Sequence, residues 1–339
     1  VMKCPKAAII MKVKDGFKYP EINKEKCINC NLCEKLCPAI NDTVIRNIGY
    51  PNVYAAWSKN TQIRRLCTSG GVCYELSKYI IESGGYVAGV VWSDNYRNAH
   101  YILSNALKDI EKFKQTKYFQ PEMDDIYRKV KEVLDKGDTV LYIGSSCTND
   151  ALKRYLGREY ENLYCLDYIC RGYTSQIYHE KRVQYLEKKH NSSISAIQYK
   201  NKRMGWTKFG TVFQFINGEE EYINRTDDSY ELMFKVEDNN TRPSCYKCKY
   251  RIFPRHTDIS VGDFWGIKGM SEKELQDGIS AVMISSEKGN KLFSAVESCF
   301  VCERRSVDEV ASGNGALLNQ FKNPNNAHQF FEDLDKLSF

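Results

Sequence analysis

The sequence predicts an α/β protein (α+β overall) in which a small cysteine-rich module precedes a larger mixed α/β domain. A dense run of cysteines occupies residues 27–37. Further along, apolar runs at 86–92 and 139–144 alternate with helical patterns, and this rhythm is typical of right-handed crossovers in a parallel sheet. From about residue 194 the alternation gives way to a hairpin pattern, so the domain is expected to be mixed.

The cysteine run reads C-x2-C-x2-C-x3-C-P from Cys27 to Pro38. This spacing is typical of bacterial ferredoxins, in which three thiolates hold one [4Fe-4S] cluster and the fourth cysteine serves another cluster. A tetrahedral zinc site, the alternative, more often shows two separated C-x2-C pairs. The pattern therefore predicts a ferredoxin-like module over residues 1–48. Its run supplies four candidate metal ligands, Cys27, Cys30, Cys33 and Cys37.

The fourth ligand for the cluster of this run is expected near the start of the sequence. Cys4-Pro5, followed by an apolar stretch, looks like the end of a matching first run whose preceding cysteine would lie just before Val1. We therefore assign Cys4 to the cluster held by the first three cysteines of the run, with an ordinary terminal thiol as the alternative. Cys37 would then belong to a further ferredoxin-type cluster that only a complete chain would hold, or be a free thiol.

Composition narrows the class of protein. The chain has 339 residues, of which 42% are hydrophobic and 27% charged, and its longest apolar runs are strand-sized, so no membrane span is expected. The start shows no signal-peptide pattern, and 14 cysteines in so large a chain favour metal binding in a reducing cytoplasm, in an anaerobe. The formal charge of +6 is offset by clusters of roughly −2 each, and the basic residues are dispersed, so no nucleic-acid partner is expected.

The other elements follow from turn signals and hydrophobic periodicity. Asp15-Gly16 predicts a turn between two short strands of the module, and pattern breaks at 41–42 and 49–51 predict a linker. The following domain is expected to have an N-terminal part at 54–145 and a C-terminal part at 146–320, before a polar tail at 321–339. Its predicted elements are a helix between Gly71 and Gly84, a strand at 86–92, a helix at 122–136, a strand at 139–144, a helix to Leu156, a strand at 163–169, a helix at 175–189, a hairpin at 209–224, a short helix at 230–236 and a strand-helix-strand unit at 279–304.

A second set of cysteines is expected to meet at one edge of the sheet. Cys147 and Cys170 each follow a predicted parallel strand, and the carboxyl ends of such strands are where open α/β sheets build their sites. Cys245 and Cys248, a C-x-x-C pair in a loop, could complete a four-thiolate site. From the spacing alone, buried thiols or a zinc knuckle remain alternatives.

Six motifs, in this order, resemble the beta-subunit family of coenzyme F420 hydrogenases and dehydrogenases over about residues 54–320. They are Thr68-Ser69-Gly70-Gly71, Thr116-Lys117-Tyr118, Gly144-Ser145-Ser146-Cys147, Tyr168-Ile169-Cys170-Arg171-Gly172, Ser244-Cys245-Tyr246-Lys247-Cys248 and the stretch Asp258–Gly266. The resemblance implies a domain that binds FAD and a [4Fe-4S] cluster and passes electrons between a two-electron carrier and iron-sulfur partners.

The resemblance also assigns roles to residues. It implies that the flavin-proximal cluster is ligated by Cys147, Cys170, Cys245 and Cys248. The flavin-contact candidates that it implies are Ser69, Gly70, Gly71, Thr116, Lys117, Tyr118 and Asp263. Two motifs depart from the family's common forms, since Gly144-Ser145-Ser146-Cys147-Thr148 replaces Gly-Thr-Pro-Cys-Gln and Cys170-Arg171-Gly172 replaces Cys-His-Gly. Neither change removes a thiolate, but both bear on the choice of electron donor or acceptor.

Elementary chemistry supports some of these roles and leaves others open. Backbone N–H groups at the helix start after Gly71 could receive a flavin phosphate, although a plain helix cap has the same pattern. Lys117 could neutralise a phosphate or a reduced flavin, whereas a lone lysine is more often solvated. The basic residues Lys200, Lys202 and Arg203 beside Gly205-Trp206 could hold an acidic cofactor or partner, but a solvated hairpin edge is the favoured interpretation. His256, beside the last motif, is a weak candidate proton donor, with a structural histidine as the alternative.

The sequence thus favours an iron-sulfur flavoprotein oxidoreductase that exchanges two electrons with a small molecule at FAD and single electrons through [4Fe-4S] clusters. The expected partners are ferredoxin or another redox protein, together with a small-molecule substrate, coenzyme F420 or a nicotinamide. A non-catalytic electron-transfer subunit of a larger complex and a zinc-bearing interaction protein are the alternatives. No Walker loop, Ser-His-Asp order or G-x-G-x-x-G fingerprint is present.

Overall fold

A hairpin, a three-stranded sheet and an eight-stranded sheet make up the computed structural model, which describes residues 1–41, 51–235, 239–251, 253–318 and 327–336. The strands are β1 (Ile9–Lys14), β2 (Phe17–Ile22), β3 (Asn52–Ser58), β4 (Tyr86–Trp92), β5 (Ala99–Ser104), β6 (Val140–Gly144), β7 (Leu163–Tyr168), β8 (Ile194–Asn201), β9 (Gly210–Phe215), β10 (Glu220–Asn224), β11 (Ile259–Asp263), β12 (Ser280–Ile284) and β13 (Phe300–Arg305). The helices are α1 (Leu32–Leu36), α2 (Thr61–Leu66), α3 (Val72–Glu82), α4 (Ile110–Phe113), α5 (Ile126–Asp135), α6 (Ser146–Leu156), α7 (Gln176–His190), α8 (Ser229–Lys235), α9 (Pro243–Tyr246), α10 (Glu272–Leu275), α11 (Glu287–Val296), α12 (Val307–Gly313), α13 (Gly315–Leu318) and α14 (Ala327–Lys336).

The large sheet has the strand order β13-β3-β12-β11-β7-β6-β4-β5. Its four central strands, β11, β7, β6 and β4, run parallel, and the outer strands are antiparallel to their neighbours. In the register, Gly144 of β6 lies beside Asp167 of β7, and Tyr168 of β7 lies beside Val261 of β11. The carboxyl ends of these three strands therefore meet at one edge of the sheet. The predicted mixed α/β class is confirmed.

Helices cover both faces of this sheet because its central strands are apolar on both sides. Leu141 of β6 packs into one buried cluster with α3 and α11, which contribute Leu76 and Phe293. Its neighbours Val140 and Tyr142 point to the opposite face and pack into a second cluster, to which α5 and α6 contribute. The alternation of side chains along a strand thus supplies both layers of the core.

A separate core forms around the three-stranded sheet and includes both the N-terminal hairpin and α14. Phe17 of β2 is fully buried and packs edge-on against Phe331 of α14, with ring centroids 5.6 Å apart. Leu334 of the same helix is also buried. The expectation of a polar tail at 321–339 is therefore wrong for 327–336, because this segment presents apolar side chains at helical spacing to a buried surface.

Most of the predicted elements of the central domain are present. The strands at 86–92 and 139–144, the helix after Gly71 and the hairpin at 209–224 are confirmed, while the helix predicted from 122 begins later, at Ile126. Sequence patterns did not predict β3, β5 or β8. The predicted linker at 42–50 and the module boundary at 48 lie outside the described residues. Within the described part of the chain, no helix combines the length and the apolar character needed to cross a membrane.

Candidate functional site

Four cysteines from three parts of the chain line one small cavity at the carboxyl edge of the sheet. Cys147 lies in the first turn of α6, directly after β6, and Cys170 follows the end of β7. Cys245 lies in α9, and Cys248 follows that short helix. The structure therefore brings together the four cysteines that strand positions and spacing suggested.

Gly172 shows how closely the loop after β7 approaches the α9 segment. Its φ is +144°, a value that L side chains rarely adopt. A Cβ atom on Gly172 would lie 2.9 Å from Cγ2 of Thr241 and 3.1 Å from Cβ of Cys245. Only glycine allows the backbone that follows Cys170 to pass over Cys245 at this distance.

We expect Gly172→Ala to destabilise the protein by about 1–3 kcal/mol, the cost of a non-glycine residue in such a backbone region. It is also expected to reduce iron incorporation at the four-cysteine cavity, because the added methyl group displaces Cys245. Gly218→Ala is the matched control, since Gly218 also has positive φ but a Cβ there meets nothing within 4 Å. Urea unfolding and iron analysis of both variants test this; equal iron contents would contradict it.

Four thiols that line one cavity are a donor set suited to a [4Fe-4S] cluster, and a tetrahedral zinc site uses the same kind of ligand. Among the described residues, no group of three or more histidine, cysteine or acidic side chains is arranged to hold a single metal ion. The identity of the metal at this cavity therefore stays a prediction.

The surroundings of the small cavity are suited to an anionic group. Burial raises the pKa of the Cys147 thiol to about 12 and also raises the pKa of Cys170, so metal binding would have to displace these protons. Ser145 Oγ lies 3.1 Å from Cys147 Sγ, within hydrogen-bonding distance. Arg251 and Arg255 also line the cavity and place positive charge beside it.

A much larger cavity, of about 590 Å³, adjoins the small one. This volume is within the range of small-molecule and cofactor sites. Six of the seven flavin-contact candidates line it, namely Ser69, Gly71, Thr116, Lys117, Tyr118 and Asp263. The seventh, Gly70, packs instead against the sheet: its N–H donates to Ser280 Oγ at 2.9 Å, and a Cβ there would lie 2.4 Å from the Ala56 carbonyl oxygen.

Lys117 is partly buried, and its ammonium bonds to the backbone instead of lying free in solvent. Its Nζ donates to the carbonyl oxygens of Lys112 and Lys114 at 2.9 and 2.8 Å, which fixes the end of α4. Burial lowers the pKa of Lys117 to about 7. Asp263 is held in place by Trp206, whose Nε1 donates to it at 2.9 Å, and by an ion pair with Lys200.

Sequence reasoning missed a group of cations at one end of the large cavity. Lys200, Arg225 and Lys235 all line it, and their charged groups lie 5.7, 4.8 and 4.7 Å from the ring centroid of Phe209. Burial lowers the pKa of Lys235 to about 8, and the nearby Lys200 and Arg225 act in the same direction. No local pattern indicates this grouping, because Lys200 lies in β8, Arg225 follows β10 and Lys235 ends α8.

The expectation of a solvated hairpin edge at 200–203 is therefore wrong for two of its residues. Lys200 faces the large cavity, and Lys202 is almost completely buried. Lys202 Nζ donates to the carbonyl oxygens of Arg64 and Ser69 at 2.8 and 2.6 Å. Arg203 alone matches the expectation, since it is exposed and pairs with Glu220.

One stretch of backbone borders both cavities. Cys170, Gly172 and Tyr173 line the small cavity and the large one alike. Tyr173 OH also lies 2.8 Å from Ser145 Oγ, which in turn contacts Cys147. Groups bound in the two cavities would be separated only by this stretch.

The remaining candidates lie elsewhere. In the N-terminal module Cys30 is exposed, and the other four cysteines, Cys4, Cys27, Cys33 and Cys37, are partly buried. Cys4 Sγ accepts a hydrogen bond from the Ala8 N–H at 3.2 Å, and backbone N–H groups lower its pKa. His256 is buried, packs its ring against Tyr250 and lines neither cavity, so its position favours the structural interpretation. All of these ligand and acid roles stay predictions.

Comparison with known proteins places this site in a family. The family model for the C-terminal region of the coenzyme F420 hydrogenase/dehydrogenase beta subunit matches residues 137–310, slightly more than half of the chain, and includes all four cysteines of the small cavity. The chain belongs to this family. A 4Fe-4S binding domain matches residues 20–39, which contain the ferredoxin run. This member of the F420 hydrogenase/dehydrogenase beta-subunit family is therefore an iron-sulfur redox protein.

A solved structure shows the same fold. A chain of the F420-reducing [NiFe] hydrogenase complex from Methanosarcina barkeri, studied by xenon derivatization, aligns with a TM-score of 0.53 and 18% sequence identity. The alignment covers 86% of this chain and 94% of that one. A comparison with curated proteins found no match.

Proposed function

We propose that this family member is a flavin-dependent oxidoreductase that links a two-electron carrier or small-molecule substrate to one-electron carriers. FAD would occupy the large cavity, and a [4Fe-4S] cluster would be held by Cys147, Cys170, Cys245 and Cys248. The observation that carries the proposal is the stretch 170–173, which lines both cavities. Two cofactors bound in these cavities would share this stretch as a common wall, which supports direct electron exchange between them.

The large cavity has the charge and shape for a dinucleotide. The cations Lys200, Arg225 and Lys235 at one end outnumber the two carboxylates that pair with them, Asp263 and Glu231. An anionic phosphate would relieve the repulsion among these cations. At another part of the cavity, Gly71 begins α3, whose free N–H groups favour negative charge.

Within this proposal, bound FAD supplies two-electron exchange with the substrate and one-electron exchange with the cluster. The chain's own residues position the groups and adjust their potentials. Ser145 Oγ lies 3.1 Å from Cys147 Sγ and would donate a hydrogen bond to a ligating thiolate, and hydrogen bonds to ligating sulfur are one determinant of cluster potential. Arg251 would offset part of the negative charge of a cluster, whereas the charge of Arg255 is already paired with Asp167.

The N-terminal module is proposed to carry single electrons between this site and an external protein. A [4Fe-4S] cluster there would use Cys27, Cys30 and Cys33, with Cys4 as the fourth ligand. Cys30 is exposed, which suits exchange with a partner such as ferredoxin. Coenzyme F420 and the nicotinamides are the proposed two-electron partners.

The experiment is anaerobic reconstitution with iron, sulfide and FAD, followed by assays with reduced F420, NADH, NADPH and ferredoxin. Lys235→Met is expected to weaken FAD binding by about tenfold or more, because a hydrogen bond to a charged group contributes about 1.5–3 kcal/mol. Lys208→Met is the matched control, since Lys208 is exposed and lines neither cavity. Failure of the reconstituted protein to retain flavin would refute the proposal. Bound flavin that exchanges electrons with no carrier would favour the non-catalytic subunit.

A further inference from the structure

Lys249 connects the ferredoxin run to the four-cysteine site. It directly follows Cys248, and its Nζ donates to the carbonyl oxygens of Pro38 and Asn41. Pro38 in turn directly follows Cys37. The Lys249 side chain thus joins the segment that follows Cys37 to the loop that carries Cys248.

The segment that Lys249 holds is itself ordered by hydrogen bonds. Asn41 Nδ2 donates to the carbonyl oxygens of Glu34, Lys35 and Cys37 at 2.8, 3.0 and 3.1 Å, and so closes the end of α1. Lys249 binds the carbonyl of the same asparagine. It therefore fixes the end of the helix that carries Cys33, rather than a loose surface loop.

The other end of the link is also anchored. The Lys249 ammonium lies 5.6 Å from the ring centroid of Tyr250, whose hydroxyl donates to Asp150 of α6 at 2.7 Å. Helix α6 carries Cys147 in its first turn and packs against α1. The two helices that carry Cys33 and Cys147 thus lie in contact, and Lys249 bonds to the end of one of them while the adjacent Tyr250 bonds to the other.

We propose that Lys249 is the positioning residue that couples the ferredoxin module to the four-cysteine site. It sets the separation across which a single electron passes, one site being oxidised and the other reduced, with no bond made or broken and no proton transferred. Its ammonium would also reduce the mutual repulsion of two anionic clusters. This inference rests on the proposed presence of a cluster at each site.

The chain offers a matched control within the same loop. Lys247 precedes Cys248 as closely as Lys249 follows it, carries the same charge and is exposed. Lys247→Met removes a positive charge at equal sequence distance from the ligand and leaves the bonds to Pro38 and Asn41 intact. Lys249→Arg keeps a charged donor at this position but changes the shape of the side chain. Comparing it with Lys249→Met distinguishes an effect of the hydrogen bonds from an effect of side-chain shape.

The first test uses protein loaded with both clusters. It is mixed anaerobically with less than one equivalent of dithionite, and the redistribution of the electron between the clusters is followed by freeze-quench EPR. Lys249→Met is expected to slow this step by about tenfold, the scale on which loss of an outer-shell contact acts at metal sites, and to weaken the spin-spin interaction between the reduced clusters. Lys247→Met is expected to behave as wild type, and Lys249→Arg to recover part of the rate. Equal rates and equal spin coupling in Lys249→Met and Lys247→Met would overturn the proposal.

The second test needs no metal and separates this inference from the proposed function. In the metal-free protein, Lys249→Met is expected to speed hydrogen exchange of the amides at 35–41, whereas Lys247→Met is not. Equal exchange in the two variants overturns the role of Lys249. Iron analysis that finds no cluster at the four-cysteine site in wild-type protein overturns the proposed function, and the hydrogen-exchange comparison still decides whether Lys249 fastens the module.

Discussion

Replacing Cys245 by serine is expected to remove one iron-sulfur cluster completely while leaving the ferredoxin-type cluster in place. The reconstituted variant should lose about four irons and four sulfides per chain, the content of one cuboidal cluster. Cys245 lies in the small cavity with Cys147, Cys170 and Cys248, and a serine hydroxyl is a poor substitute for a thiolate at such a site. Electron exchange between FAD and the module should be lost together with the cluster.

Cys299→Ser is the control for this variant. Cys299 is exposed and lines neither cavity, so its replacement should leave the iron content unchanged. Iron and sulfide analysis with EPR of the reduced proteins distinguishes the two variants, and circular dichroism of the metal-free forms checks that both are folded. An unchanged iron content in Cys245→Ser would mean that other residues ligate the metal.

Arg255→Met is expected to destabilise the metal-free protein by about 3–5 kcal/mol, because removing one partner of a buried ion pair leaves an uncompensated charge. Arg255 Nη2 lies 2.6 Å from Asp167 Oδ2 at the carboxyl edge of the sheet, and both side chains are almost completely inaccessible to solvent. Asp167 keeps its bond from Ser146, but that hydroxyl carries no charge. Urea unfolding of the metal-free proteins at neutral pH measures this loss of stability.

The pH dependence of the Arg255→Met effect is a sharper test of its cause. Burial, the largest single influence, would raise the pKa of Asp167, but attraction to Arg255 together with His256 and hydrogen bonds from Ser146 and Ser260 holds the pKa below its ordinary value. The wild-type pair therefore contributes stability above the unfolded-state pKa of about 3.9, and this contribution is lost as the pH falls further. Without Arg255 the pKa of Asp167 rises, so Asp167 becomes protonated in the variant as the pH falls, and the uncompensated charge disappears. The difference in free energy of unfolding between wild type and Arg255→Met should therefore shrink from pH 7 towards pH 4.

Arg158→Met provides the comparison for a surface pair. Arg158 is exposed and pairs with the exposed Asp135, so its loss should change stability little at any pH. A difference between wild type and Arg255→Met that stays constant over pH 4–7 would assign the effect to lost packing instead of the uncompensated carboxylate.

The meeting of the four cysteines could be predicted because its determinants are local. The apolar runs that form β6 and β7 are short, lack competing helical periodicity and are each followed by a cysteine within three residues. Parallel pairing then places Cys147 and Cys170 at the same edge whatever the details of packing. The C-x-x-C pair at 245–248 needed only a loop long enough to return to that edge.

The cation-lined end of the large cavity could not be predicted in the same way. Lys200, Arg225 and Lys235 follow or end different elements, and a hairpin pattern does not say which of its polar side chains turn inwards. Lys202 was misjudged for a related reason: it is buried because carbonyl oxygens from Arg64 and Ser69 converge on it from far along the chain. Contacts between residues far apart in the chain produce no periodic pattern in the sequence, so they cannot be predicted from it. The burial of α14 depends on Phe17, which is equally distant in sequence.

The loop after β7 limits which substitutions this protein can accept near its two cavities. Since 170–173 forms a common wall of two compartments, a substitution there alters both at once, and acceptable changes should come in compensating pairs. The cationic end borders the large compartment alone. In the proposed function Lys200, Arg225 and Lys235 hold the flavin, so substitutions at these three positions should change flavin affinity without altering the wall that the two compartments share.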